Sequence, residues 1–459
     1  MEERKENKMG IMPVNRLLVT MSLPMMISML VQALYNIVDS LFVSRINEQA
    51  LTALSLAFPV QNLMIAVSAG MGVGMNALLS RSLGEKNGRQ ADKAAMNGLF
   101  LALINYSIFL IFGLFGTRWF YSIQTSDPLI LQYGTEYLRL CCLLSFGMMF
   151  QMTLEKILQA TGRTMYTMLT QSLGAVINII FDPIMIFGYF GCPAMGVTGA
   201  AAATVFGQIV SMSLALWFNR KKNPDVTLKL RGFRPEGKTI GLIYRVGIPS
   251  IIMQAISSVM NFGMNRILLS FTSTAAAVFG AYFKLQSFVF MPIFGMNNGI
   301  VPITAYNYGA GKGRRINRVV RLGIRYATCI MTAGLLIMEL FPAQVLGFFD
   351  ASPAMLEIGV PALRIIAIHF VAAGYGIVCS SVFQALGHGL LSMTVSLCRQ
   401  LFVLLPAAWL LAHFFGLSAV WWAFPIAECS AVLLSTLFLR RIYRLEILPI
   451  YEPEETAIL

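Results

Sequence analysis

The strongest constraint on the fold is that the chain carries one pattern twice, 225 residues apart. At that offset Pro24 meets Pro249, Asn36 meets Asn261, Gln61 meets Gln286 and Pro128 meets Pro353. Leu138-Arg139 meets Leu363-Arg364, and Gln159-Ala160-Thr161-Gly162 meets Gln384-Ala385-Leu386-Gly387. Seven glycines also coincide: 70/295, 74/299, 84/309, 88/313, 98/323, 134/359 and 162/387. The windows 24–162 and 249–387 hold 11 and 14 glycines, for which chance gives about one match. The register runs without a gap through four apolar segments of each half.

Those segments are long enough to cross a bilayer. Leu17–Val43 has 27 residues, and Asp39 is the one charge among them. A hydrocarbon core needs roughly 20 apolar helical residues to span it. Twelve such segments can be marked: 17–43, 53–80, 94–116, 131–158, 164–189, 196–219, 243–270, 276–306, 319–341, 356–386, 390–412 and 417–439. Only 12% of the chain is charged and its mean hydropathy is +0.70, whereas soluble domains carry about 25% charged residues. The expected fold is an all-α integral membrane protein of 12 transmembrane helices in two six-helix lobes. An offset of an even number of spans gives the two lobes the same orientation, an architecture of transporters with the substrate site between the halves.

The net charge of +13 does not indicate nucleic acid. The basic residues sit in loops at 81–93, 162–163, 220–245 and 312–321 and in Arg440, Arg441 and Arg444, alternating with short apolar or weakly acidic loops. This is the positive-inside pattern, with anionic membrane lipid as the counter-surface. It places both termini in the cytoplasm of a multi-pass cell-membrane protein. The N-terminal stretch is too polar for a secretory signal. The expected division is an N-terminal lobe at 1–219, a cytoplasmic linker at 220–242, a C-terminal lobe at 243–445 and a tail at 446–459. The seven cysteines form no CxxC and imply neither disulfides nor a metal site. Without a GxxxxGK[ST] motif nothing points to ATP-driven work, and no GxSxG or HExxH suggests an intramembrane enzyme.

Intramembrane polar groups are costly and mark function or a partner. Gln32, Asn36 and Asp39 fall on one face of the first span, beyond the helix-bending Pro24. In the fifth span Asn178 and Asp182 are four apart, next to a second bending residue, Pro183. Two acids at similar depth in one bundle repel unless a proton or a cation neutralises the pair, which suits Asp39 and Asp182 to H⁺ or Na⁺; locally satisfied structural carboxylates are the bland alternative. Thr204 adds a hydroxyl ligand or bonds back to its own helix. Glu155, followed by Lys156, is either a cavity residue or one member of a snorkelling interfacial pair. The positions matching Asp39 and Asp182 in the second half are Met264 and Ala407, so ion coupling is expected in the first half. The second half offers Gln254, Ser258, Asn261 and Asn265 on one face; of these Gln254 and Asn261, with Gln32, Tyr35, Asn36, Gln61, Glu155 and Gln286, are the substrate-cavity candidates. Arg399 and Glu428 are expected to form a structural ion pair, and His369 to be a packed, hydrogen-bonded histidine.

Several of these stretches resemble the multidrug and toxic compound extrusion (MATE) family. They are Ser22-Leu-Pro24, Tyr35–Ser44, Arg81-Ser-Leu-Gly84, Leu158–Gly162, Asn178 to Pro183 and Gly196 to Thr204. The resemblance covers essentially the whole chain. It implies a cation-coupled antiporter that exports amphipathic, often cationic, compounds by alternating access between two lobes. By the resemblance, Asp39, Asn178, Asp182 and Thr204 match the family's N-lobe cation-site positions, and Pro24 the proline whose bend accompanies protonation. Gln254 stands near where some members carry a C-lobe glutamate. The expectation is therefore an H⁺- or Na⁺-coupled exporter, a monomer that needs no cofactor. A lipid or lipid-linked precursor flippase of the same superfamily is the nearest rival, and a non-transporting receptor or scaffold a distant one.

Overall fold

The computed structural model describes residues 6–349 and 351–450, and among the described residues there is no strand. The first half forms α1 (Val14–Ser44), α2 (Glu48–Gly84), α3 (Gly88–Phe115), α4 (Pro128–Leu143), α5 (Phe146–Ala160), α6 (Thr164–Phe187) and α7 (Val197–Lys221). The second forms α8 (Gly237–Leu269), α9 (Ser273–Gly309), α10 (Gly313–Leu340), α11 (Pro353–Ala367), α12 (Phe370–Ala385), α13 (Gly389–Phe415) and α14 (Ala423–Ile442). Ten helices are long and apolar enough to cross a membrane, and twelve spans result if the bent pairs α4–α5 and α11–α12 each count as one. Residues 451–459 of the expected tail lie outside the described residues.

The helix ends follow from the sequence. Asn47 and Asn87 cap α2 and α3 through side-chain oxygens that accept from Ala50 N and Gln90 N. Asp127 and Ser352, 225 apart, cap α4 and α11, each followed by a proline in the first turn, where no amide donor is missed. Gly162 and Gly387 close α5 and α12 at φ 81° and 87°, a left-handed conformation that favours glycine. Expected spans four and ten are broken, by 45° and 47°. At each break a side chain joins the backbone N–H of its own residue on the carbonyl three residues back: Ser145 Oγ donates to Cys142 O at 2.8 Å, and His369 Nδ1 lies 2.5 Å from Ile366 O.

The chain forms two compact units, and they do not follow the linear cut at 219 and 243. One unit is Ile27–Gly247; the other joins Glu6–Met26 to the chain from Ile248 onward. Both divisions fall inside proline-containing helices, within a turn of Pro24 and Pro249. In the first unit, Gly74 of α2 lets α8 approach so closely that a Cβ there would lie 2.2 Å from Ile243 O. In the second, Gly299 of α9 seats Ser22 of α1, with a built Cβ 2.6 Å from Ser22 Oγ. The repeat's matching glycines thus serve matching contacts. The segment before α1 is held by Arg315, which donates to Asn307 Oδ1 and to the carbonyls of Met9 and Met12.

The expected linker is fastened to the first unit. Thr227 N donates to Asp92 Oδ1 at 2.7 Å, Arg163 pairs with Asp225 at 3.2 Å and Lys93 with Glu236 at 3.0 Å. Thr239 and Lys93 hold the Glu236 carboxyl below the usual glutamate range.

Candidate functional site

Within the first unit, the part of α1 beyond residue 26 and helices α6 and α7 bring the predicted cation-site residues together. The Asn178 amide satisfies its neighbours in one orientation: Nδ2 donates to Asp182 Oδ2 at 2.8 Å, and Oδ1 accepts from Thr204 Oγ1 at 3.0 Å and Thr204 N at 3.1 Å. The Thr204 hydroxyl turns across to α6 rather than back on its own helix. Tyr35, one turn before Asp39 on α1, bonds Thr204 through its hydroxyl. The Asp39 and Asp182 carboxylates lie within hydrogen-bonding reach of each other. Tyr35, Thr204, Asn178, Asp182 and Asp39 therefore form one continuous polar chain.

That chain is buried and incompletely satisfied. Asp182 is fully buried and Asn178 nearly so, and Oδ1 of both Asp39 and Asp182 has no protein partner. Buried polar atoms without partners are few in folded proteins, and here two belong to adjacent carboxylates. The surrounding donors are oxygen ligands of the kind hard cations take. A proton or a small monovalent cation fits both the charge and the unclaimed lone pairs.

The other candidates distribute unevenly. Gln32 and Asn36 are exposed on α1. Gln61 of α2 donates to the Tyr137 hydroxyl at 3.0 Å. Pro24 and Pro183 lie inside uninterrupted helices. Gln254, Asn261 and Gln286 are half-buried in the second unit, with Asn261 Oδ1 unpartnered. Glu155 departs from expectation: only 2% exposed, it accepts hydrogen bonds from Gln151, Thr170 and Gln171, and so neither snorkels nor lines an open cavity. Lys156 instead donates to Gln159 at 3.0 Å. Sequence reasoning missed these partners of Glu155, although Gln171 stands three helical turns before Asp182 on the same face.

In the second unit Met264 is fully buried. Arg399 pairs with Glu428 at 3.3 Å, and His369 caps its helix break among Phe290, Phe370 and Phe424, as expected of both.

Comparison with known proteins places the chain in a family. The MatE family model matches residues 24–184 and again 249–410, its two copies beginning at Pro24 and Pro249. The chain is 26% identical over 422 residues to the multidrug export protein MepA of Staphylococcus haemolyticus, with 90% of each chain covered. It is 26% identical over 431 residues to an FAD transporter of Shewanella oneidensis, covering 91% of this chain and 92% of that one. A solved structure of a multidrug resistance MATE family transporter in its outward-facing conformation superposes with a TM-score of 0.90 at 28% identity, over 98% of this chain and 99% of the other. A transporter of the same superfamily from Pyrococcus furiosus, described as having a binding pocket of reversed polarity, gives 0.90 at 27% identity, over 98% and 100%. Matched over both halves of its repeat and along nearly its whole length, the chain belongs to the MatE family of multidrug and toxic compound extrusion transporters.

Proposed function

We propose that the chain is a secondary antiporter of the cell membrane, a monomer with both termini cytoplasmic, that exports amphipathic cationic compounds in exchange for H⁺ or Na⁺. The observation that carries this reading is the Asp39–Asp182 pair, whose unpartnered oxygens sit at the end of a polar chain reaching Tyr35. An ion arriving from outside neutralises the pair. The helices around Pro24 and Pro183 then repack, and affinity for the exported compound falls; each ligand biases the same two-state element, as coupling requires. For Na⁺, Asp39, Asp182, Asn178 and Thr204 supply oxygen ligands. Relatives described as multidrug export proteins support the substrate class.

The test is efflux of a fluorescent organic cation from proteoliposomes under imposed pH or Na⁺ gradients. Wild type is expected to pump, and Asp39→Asn and Asp182→Asn to lose gradient-driven efflux; the gradient that drives wild type names the ion. Normal pumping by both variants would overturn the assignment.

A second reading concerns the cargo. One relative is described as an FAD transporter, and Lys284 is exposed in the middle of α9, where a lone cation suits an anionic group. FAD uptake into inverted vesicles without organic-cation transport would replace the cationic substrate by an amphipathic anion. Lipid translocation without either would favour the flippase.

A further inference from the structure

Helices α1 and α6 are joined at two levels with one register. Ser28 and Gln171 are 143 residues apart, as are Asp39 and Asp182. Each polar residue precedes its acid by 11 positions, about three helical turns or roughly 16 Å along the axis, on the same face. At this second rung the Ser28 hydroxyl donates to Gln171 Oε1, and Gln171 Nε2 donates to Glu155 Oε2 at 2.7 Å. Glu155 Oε1 accepts from Thr170 Oγ1 at 2.8 Å and from Gln151 Nε2 at 3.0 Å. Ser28 and Glu155 are both almost wholly buried.

The neighbours of Glu155 are largely neutral. The leading charge acting on it is Lys156, next in α5. Helix α6 presents Thr167, Thr170 and Gln171, while α2 presents Ser68 and Asn76 to α5, and Ser211 of α7 bonds Thr170 O. The other charged residues of α2, α3 and α7 (Glu48 and Arg81; Arg89, Asp92 and Lys93; Arg220 and Lys221) lie near helix ends. The remaining acid of α6 is Asp182, at the far rung.

We propose that Glu155 is a second proton-binding site of this unit, and that Gln171 passes its protonation state to Ser28 on α1. An ionised carboxylate only accepts: the Gln151 and Gln171 amides donate to it, while Thr170 Oγ1 has one hydrogen to share between Glu155 Oε1 and the Thr167 carbonyl, each at 2.8 Å. A proton on Oε2 sets a donor against the Gln171 amide nitrogen. The amide turns over, so that its oxygen accepts from Glu155 and its nitrogen donates to Ser28 Oγ. The Ser28 hydrogen then turns to the carbonyl four residues back, that of Pro24. Pro24 already leaves the Thr20 carbonyl without its helical donor, so the changed bond falls where α1 is least secured. One proton is gained at Glu155 and none passes between side chains.

This inference rests on the transport reading but is tested apart from it. In proteoliposomes of the full-length protein, infrared titration follows the C=O stretch of protonated carboxyl groups. Subtracting the titration of the Asp39→Asn/Asp182→Asn/Glu155→Gln triple variant from that of the Asp39→Asn/Asp182→Asn double variant cancels the bands of the other acids and is expected to leave one titrating carboxyl band, that of Glu155. Ser28→Ala with Glu155 intact is expected to move that band's midpoint by about one pH unit. No difference between the double and triple variants overturns the site. An unmoved midpoint in Ser28→Ala overturns the relay. Failure of the transport reading shows elsewhere, as normal efflux by Asp39→Asn with the Glu155 band unchanged. The near-isosteric substitutions keep the fold, which monodispersity in detergent verifies.

Discussion

Asp39 and Asp182 in the first half correspond, at the repeat offset, to Met264 and Ala407 in the second. Tyr35, Asn178 and Thr204 correspond to Met260, Val403 and Cys429. The frame around these positions is nevertheless shared. Ser257 Oγ donates to Gln400 at 3.2 Å across the same 143 residues that separate Ser28 from Gln171, one turn further along. Thr167 Oγ1 bonds the carbonyl of Glu155 at 3.3 Å, and at the matching positions Ser392 Oγ bonds that of Ser380 at 2.9 Å. The converse also holds. Tyr282, His369, Arg399 and Glu428 match Ala57, Leu144, Gly174 and Ala203. The duplicated chain thus kept these neutral hydrogen bonds in both halves, while the acids Asp39, Asp182 and Glu428 each stand in one half with an uncharged residue at the matching position of the other. Packing constrains the frame, while the acids of each half sit among polar neighbours that the matching positions of the other half lack.

The comparison can be broken most severely by installing an acid where partners are lacking. Met264→Asp puts a carboxylate at a fully buried position of a half whose counterparts to Asp182, Asn178 and Thr204 are Ala407, Val403 and Cys429, and is expected to cost about 3 kcal/mol, seen as a fall in thermal-unfolding midpoint and in yield. Equal stability of this variant and wild type would show that the second unit tolerates charge as the first does. A smaller effect follows from Gly74→Ala and Gly299→Ala. Overpacking costs about 1–3 kcal/mol, and Gly74 should be the worse site, because its added Cβ meets the backbone carbonyl of Ile243 whereas Gly299 meets a serine side chain that can turn away. Thermal unfolding of the two in parallel ranks them. Ser257→Ala removes one hydrogen bond and is expected to cost about 1 kcal/mol, with efflux coupling unchanged; a changed ion dependence would bring the second unit into coupling. The smallest effect concerns Glu236. Its depressed titration contributes stability above the ordinary glutamate range, near pH 4.3, and loses it as pH falls through the lower folded value. Proteolysis of the 222–236 segment should therefore accelerate in acid, and Glu236→Gln should abolish that dependence.

Much of this was legible before any coordinate. Leu17–Val43 and its counterparts announce spans by length alone, and the glycine register announces the duplication because glycine marks where backbones meet. Asp39, Asn178, Asp182 and Thr204 could be gathered since acids in apolar helices are conspicuous. The breaks at Leu144–Ser145 and Ile368–His369 escaped, having neither proline nor glycine within them. Glu155 was misjudged because Lys156 beside it suggested a pair, whereas helical neighbours in sequence point apart; its partners come from Gln151 on its own face and from α6. Glu6–Met26 could not be assigned to the second unit from sequence, since hydropathy reports that a helix is buried and not which bundle buries it.

That assignment has an evolutionary reading. Each compact unit is completed by a stretch of chain belonging to the other half: the second takes Glu6–Met26, and the first takes residues 237–247. An ancestor of half the length, before gene duplication, would have faced the same requirement with no second half to meet it. Two identical copies exchanging their leading segments satisfy it, a domain-swapped homodimer with two-fold symmetry. Fusing two such copies would make the exchange covalent and leave each half free to diverge.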